Sequence, residues 1–440
     1  MQKIYLDHIA ATPLSSKAMK GMLPYLGSFF GNPQSRHSAG ANPKKAIEAA
    51  REAVAALIGA DTREIIFTSS GSESNNLAIK GILSARKKTS ARGSSGRGPA
   101  SCAVQHIITS AIEHFSVAHP IKRLEREGYK VTWLPVDSKG RVDPLLVSRA
   151  ICEETILISI MHANNEIGTI QPIQEIANLA SAAGVLFHVD ATATVGVVPF
   201  DIDLLGMDLA SFSAQQFYGP KGVGALYLRR GTRILPLIDG GIQEGGRRAG
   251  TENVAAIVGM GIAAKESQES IISINQKLSA MRDHLIHGLL QRVPLLHLTG
   301  DPTNRLPHIA SFAVEYVDGE ALIRALDKKG IIVASGSSCS ADALKISPTL
   351  TALGIPANVA QGGIVISLGR KTSEEEIDTV IDIFPETVQG LRETSPLYAE
   401  LVGSTTSQNP QLILGEIAKS PDIQGQRPFW QPRRTYSYGE

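Results

Sequence analysis

Ser211-Phe-Ser-Ala-Gln-Gln-Phe-Tyr-Gly-Pro-Lys-Gly222 joins two apolar runs, residues 209–213 and 223–228. Both runs have strand composition, and the Gly-Pro-Lys-Gly punctuation between them reads as a turn. The centre of the stretch is chemically blunt. Gln215 and Gln216 carry amides, which offer no nucleophilic amine. Outward from this stretch, short apolar runs alternate with longer amphipathic ones. Strands are expected near residues 65–68, 106–109, 155–160 and 186–189, with helices at 43–58, 73–88, 115–127 and 172–183. That alternation predicts an α/β fold with a largely parallel sheet. A long helix from about Asn253 leads to a smaller C-terminal set in which 306–314 and 363–367 read as strands. Residues 89–101 read as a flexible loop, because they have nothing apolar to bury.

The chain has 440 residues, 43% hydrophobic and 19% charged, the proportions of an ordinary globular protein long enough for two domains. A formal net charge of +1 gives no electrostatic case for nucleic acid, which calls for a clustered basic face. No apolar run approaches the roughly 20 residues of a membrane helix. Met1-Gln-Lys leads straight into the first motif described below, so neither a leader nor a membrane association is expected and the cytoplasm is the expected location.

Three cysteines, Cys102, Cys152 and Cys339, form no CxxC or Cys/His spacing, so no metal site is expected. Cys152 reads as a buried structural thiol and Cys102 as incidental. Cys339 lies in Ser335-Gly-Ser-Ser-Cys-Ser340, a small polar loop of the kind that leaves a thiol accessible. Ser70-Gly-Ser72, between a strand and a helix, suits either a phosphate or a helix cap.

A series of motifs then runs in order along residues 4–395: Tyr5-Leu-Asp-His-Ile-Ala-Ala-Thr-Pro13, Phe30-Gly-Asn-Pro33, Phe67-Thr-Ser-Ser-Gly-Ser-Glu-Ser-Asn-Asn76, Met161-His-Ala-Asn-Asn-Glu-Ile-Gly168 and His188-Val-Asp-Ala191. Together with the opening stretch they resemble the cysteine desulfurases of the NifS and IscS type, class V aminotransferases of pyridoxal phosphate (PLP) fold type I. Residues 229–233, 246–253 and 299–307 look closer to the NifS branch. The resemblance implies a large PLP-fold domain at 14–262, a smaller α/β domain from 1–13 and 263–395, and a polar tail at 396–440.

By the same resemblance, Gly71, Ser72 and Ser213 would contact the PLP phosphate, and Thr251 would reach it across the subunit boundary of a homodimer. Asp190 would face the pyridine nitrogen, Asn165 the phenolic oxygen, and His114 would stack on the ring and move protons. Cys339 would be the nucleophile that takes sulfur from cysteine. The departures cluster where the chemistry occurs. Gln215 and Gln216 replace a His-Lys pair whose Lys carries PLP as a Schiff base, Ala193 replaces a Gln, and Val365 replaces an Arg that clamps the substrate carboxylate. Ile242 and Gly245 stand where NifS-like chains tend to have His and Arg. Lys221 belongs to a turn that active relatives share, outside the Schiff-base position. A desulfurase-like pseudoenzyme is therefore expected, acting through protein contacts or through Cys339 as sulfur acceptor or carrier. PLP, if it binds, would be held non-covalently. The alternative is a weak desulfurase that converts L-cysteine to L-alanine and a Cys339 persulfide for iron-sulfur or other sulfur transfer. Either reading implies a homodimer and a sulfur-acceptor or scaffold protein as partner.

Overall fold

A computed structural model describes residues 3–93, 104–336 and 346–404. Its main sheet contains β2 (Ile65–Thr68), β3 (His106–Ser110), β4 (Lys130–Leu134), β5 (Thr155–Ser159), β6 (Leu186–Asp190), β7 (Leu209–Ser213) and β8 (Gly224–Leu228). The strand order is β2-β8-β7-β6-β5-β3-β4. All pairings are parallel except those of β8, which runs antiparallel to both β2 and β7. Both faces of the sheet are buried, which is why its strands read as continuous apolar runs. Successive residues go to opposite sides: Ile107, Leu157 and Leu209 join one core, while Ile108, Ile158 and Ala210 join the other.

Helix Val254–Arg292, 39 residues and roughly 60 Å long by helical rise, starts from an Asn253 side-chain cap and links two cores. Ile257, Met260 and Ala264 pack under the main sheet; Leu278, Met281 and Leu285 pack into the second core. There β9 (Leu296–Leu298), β10 (Ile309–Val314) and β12 (Gly363–Ser367) form an antiparallel sheet. The chain start joins this second core: β1 (Ile4–Tyr5) pairs in parallel with β11 (Ile331–Ile332) as a separate two-stranded sheet, and Leu6 lies in the same core as Phe312 and Phe384.

Three expectations change. Helix Gly71–Gly93 runs through residues 89–93, assigned above to a loop, because once a helix is nucleated each further residue adds a hydrogen bond; the rest of that segment, with Cys102, lies outside the described residues. Residues 396–404, assigned to the tail, begin as helix Pro396–Ser404, and Tyr398 packs on Tyr316 with ring centroids 5.8 Å apart. Strand β4 was unanticipated, being an edge strand that opens on an exposed Lys130 and alternates polar with apolar residues. Cys339 and residues 405–440 lie outside the described residues.

Candidate functional site

The expected site residues gather at the C-terminal ends of the parallel strands, where open α/β sheets leave a crevice. His114 follows β3, Asn165 follows β5, Asp190 ends β6 and Ser213 ends β7. His188 fixes this edge from within: its ring bonds Ser159 Oγ on β5 and Ser211 Oγ on β7, both at 2.9 Å. Burial pulls that imidazole down to about 4, so it serves as a neutral cross-link between strands.

Asp190 is buried and its carboxylate is held on both sides. The Thr192 amide donates to Oδ1 at 3.0 Å, and Asn75 Nδ2 donates to Oδ2 at 2.7 Å. Asn75 also donates to Ser116 Oγ at 2.8 Å, and Ser116 Oγ lies 2.7 Å from His114 Nδ1. His114 therefore connects to Asp190 through two side chains to which the sequence reading assigned no role. The available signal was Ser74-Asn75, two polar residues fully buried in a helix that otherwise packs Leu77, Ala78 and Ile79.

Helix Gly71–Gly93 points its N-terminus at the same edge. Ser70 caps it, its Oγ accepting from Glu73 N and its carbonyl from Ser74 N. The amides of Gly71 and Ser72 make no hydrogen bond among the described residues, which leaves two donors and the helix dipole for an anion. Gly71 is needed for its close approach: a Cβ there would meet Thr192 Oγ1 at 2.9 Å and Ser213 Cβ at 3.6 Å. Gly71, Ser213 and the turn after Asp190 thus meet. Thr251 is exposed, beside a space lined by Ser69, Gly222 and Arg248. Asn165 is partly buried in a turn whose neighbour, Asn164, is fully engaged, accepting from the Glu166 and Ile167 amides and donating to Ile112 O. The chemistry of these residues fits PLP: amide donors for a phosphate, and a fixed carboxylate for a ring nitrogen.

The anchor does not fit. Gln216 sits in the 3-10 turn Ala214–Phe217 after β7, and its Nε2 donates to Ile9 O at 2.9 Å. Lys221 is exposed in the following turn. Ala193 and Val365, at the other two lost positions, come together in one apolar cluster with Ala163, Leu306 and Ile309, with 7% and 2% of their surface exposed. Where the resemblance implies a glutamine and an arginine, the fold has closed over hydrocarbon.

Two further carboxyls flank the site. Glu113 is buried beside His114, accepting from Ser110 Oγ at 2.5 Å and Met161 N at 3.0 Å; burial pushes it up to about 8. Glu166, buried and raised to about 7, accepts from Ser347 Oγ at 2.7 Å. Cys152, expected to be a buried structural thiol, is only partly buried, with Sγ 3.4 Å from His106 Nδ1 near the opposite, N-terminal end of β3. Among the described residues no group of three metal-ligating side chains occurs, and no helix is long and apolar enough to cross a membrane.

Comparison with known proteins identifies relatives matched over nearly their whole length and about nine-tenths of this chain. Residues 4–380 match the model of the family Aminotransferase class-V. Cysteine desulfurase IscS of Dictyoglomus turgidum is 45% identical over 399 residues, covering 91% of this chain and 98% of that protein. Cysteine desulfurase IscS of Methanosarcina thermophila is 46% identical over 394 residues, covering 90% of this chain and 94% of its own length. Among solved structures, a NifS-like protein superposes with a TM-score of 0.79 at 35% identity, covering 89% of this chain and all of that one. Names of both branches thus occur among the relatives.

Proposed function

Because this chain belongs to the class V aminotransferase family, and within it to the cysteine desulfurases, we propose that it is a desulfurase-like protein that has lost lysine-dependent turnover and handles sulfur through Cys339. The observation that carries this reading is the set of replacements: Gln216 tied to Ile9 O, and Ala193 with Val365 in an apolar cluster. An isopropyl group cannot offer the bidentate hydrogen bonds by which an arginine holds a carboxylate. When bound, PLP would supply the electron sink for breaking the C–S bond of cysteine. Gly71, Ser72 and Ser213 would hold its phosphate, with Thr251 of a second copy, while Asp190 and Asn165 would hold its ring.

A second reading, a weak desulfurase forming L-alanine and a Cys339 persulfide, is favoured by the 45% identity to IscS proteins and by the intact Asp190 and His114 network. In either reading the protein is a homodimer passing sulfur to an acceptor or scaffold protein. Leu26, Phe30 and Ile242, 68%, 84% and 85% exposed, are apolar side chains available to such a contact. A cytoplasmic location belongs to the same reading, in keeping with three cysteines in 440 residues.

The test is alanine release from L-cysteine in the presence of PLP, with Cys339→Ala measured alongside. No alanine above the PLP-only background supports the first reading. Catalytic alanine that disappears in Cys339→Ala establishes the second.

A further inference from the structure

Behind His114, side chains from three elements form one line of hydrogen bonds whose direction is set at its far end. Asp190 Oδ2 is an acceptor, so the Asn75 group 2.7 Å from it must be the amide nitrogen. That nitrogen has one hydrogen left, and Ser116 Oγ at 2.8 Å accepts it. The Ser116 hydroxyl hydrogen is then free to point at His114 Nδ1, 2.7 Å away. The Ser116 backbone amide donates to the same ring nitrogen at 3.1 Å. Nδ1 faces two donors and must present its lone pair, so the hydrogen of the neutral ring belongs on Nε2.

We propose that Asn75 and Ser116 are positioning residues that lock His114 in the Nε2–H tautomer, with Asp190 dictating the direction of the whole line. This deepens the function proposed above and rests on that reading's placement of His114 beside the reacting group. The lock gives that residue a definite chemistry: Nε2 offers a hydrogen to an anionic or carbonyl-type acceptor and does not act as a lone-pair base. It also makes the carboxylate that would hold a ring nitrogen and the imidazole that would serve the substrate parts of one rigid unit, so a disturbance at either end is felt at the other.

The experiment uses the full chain with 15N-labelled histidine, without PLP or cysteine, read by long-range 1H–15N correlation at pH 7.5. The His114 signals are assigned by their loss in His114→Gln. The expected spectrum shows an unprotonated Nδ1 and a protonated Nε2. Ser116→Ala removes the hydroxyl donor and should raise the Nδ1–H population at least about fivefold, while Ser116→Thr, which keeps the hydroxyl, should restore the original spectrum. A wild-type spectrum protonated at Nδ1 overturns the proposal by itself, whatever the variants do. A Ser116→Ala spectrum unchanged from wild type overturns it as well. Neither result depends on alanine release, so failure of the desulfurase-like reading and failure of the lock are separately visible.

Discussion

At the scale of single residues, amide donors and a fixed Asp190 carboxylate are set, on the proposed reading, beside an amide where a lysine would be the anchor. Gln216 is the clearest case, because its amide is occupied: it donates to Ile9 O at 2.9 Å. A lysine at this position is one atom longer and would have to give up that contact, worth about 1 kcal/mol, to reach a bound aldehyde. Gln216→Lys should therefore capture PLP covalently, visible as a mass adduct after borohydride reduction that approaches one per chain. On the proposed reading, alanine release should stay within about tenfold of the starting level, since the apolar Ala193 and Val365 would still offer a substrate carboxylate no partner. A rise of about a thousandfold with the lysine alone would show that those two positions cost little. These losses were legible from the sequence, because each falls at a fixed place in an ordered motif. The Asn75–Ser116 line was not, since it depends on a distance between two helices that no local pattern encodes.

Among the elements, what the sequence conveyed well was existence and what it conveyed poorly was direction and extent. The apolar runs at β2, β3, β5, β6 and β7 read as strands because both their faces are buried, but the apolar composition of β8 does not distinguish it from its parallel neighbours. The reversal follows from the short connection Ala214–Val223, too brief for the crossover a parallel neighbour requires. It brings Gly224 against the chain entering helix Gly71–Gly93: a Cβ on Gly224 would lie 2.6 Å from Ser70 C and 2.8 Å from Phe212 O. Both obstacles are backbone, so neither can rotate away. Gly224→Ala should cost about 2 kcal/mol or more in chemical denaturation, by forcing the helix N-terminus off the sheet. Gly390, exposed in helix Glu374–Glu393 with nothing within 4 Å of the place a Cβ would occupy, is the matched control. Gly390→Ala should stabilise by up to about 1 kcal/mol through helix propensity. A Gly224→Ala effect as close to zero as the control's would mean that the β8–helix contact is looser than its geometry indicates.

For the whole molecule, the buried titratable groups set how stability depends on pH. His8, His162 and His188 are each pulled down to about 4, and His308 to about 3, in every case chiefly by burial. Nδ1 of His8, His162 and His308 finds no partner among the described residues, so nothing there would compensate a charge. Unfolded, these rings take up protons near pH 6.5. Their contribution is thus fully present above about pH 6.5 and is lost as pH falls toward the folded values. Glu113 and Glu166 act in the opposite sense. Burial holds them protonated up to about 8 and about 7, whereas in the unfolded chain they ionise near 4.5, so their contribution is present below that value and is lost as pH rises. Between about pH 4.5 and 6.5 these four histidines, joined by His106, which burial also lowers, outweigh the two carboxyls; between about 6.5 and 8 the carboxyls dominate. Thermal melts at constant ionic strength should show a maximum Tm near about pH 6.5, with a steeper fall on the acid side than on the alkaline side. His308→Gln, which removes one of the buried imidazoles, should flatten the acid limb and leave the alkaline limb unchanged. A Tm that holds level from pH 7 to 4 would mean that these rings gain protons without cost, and hence that water reaches the interior where His8 and His308 lie.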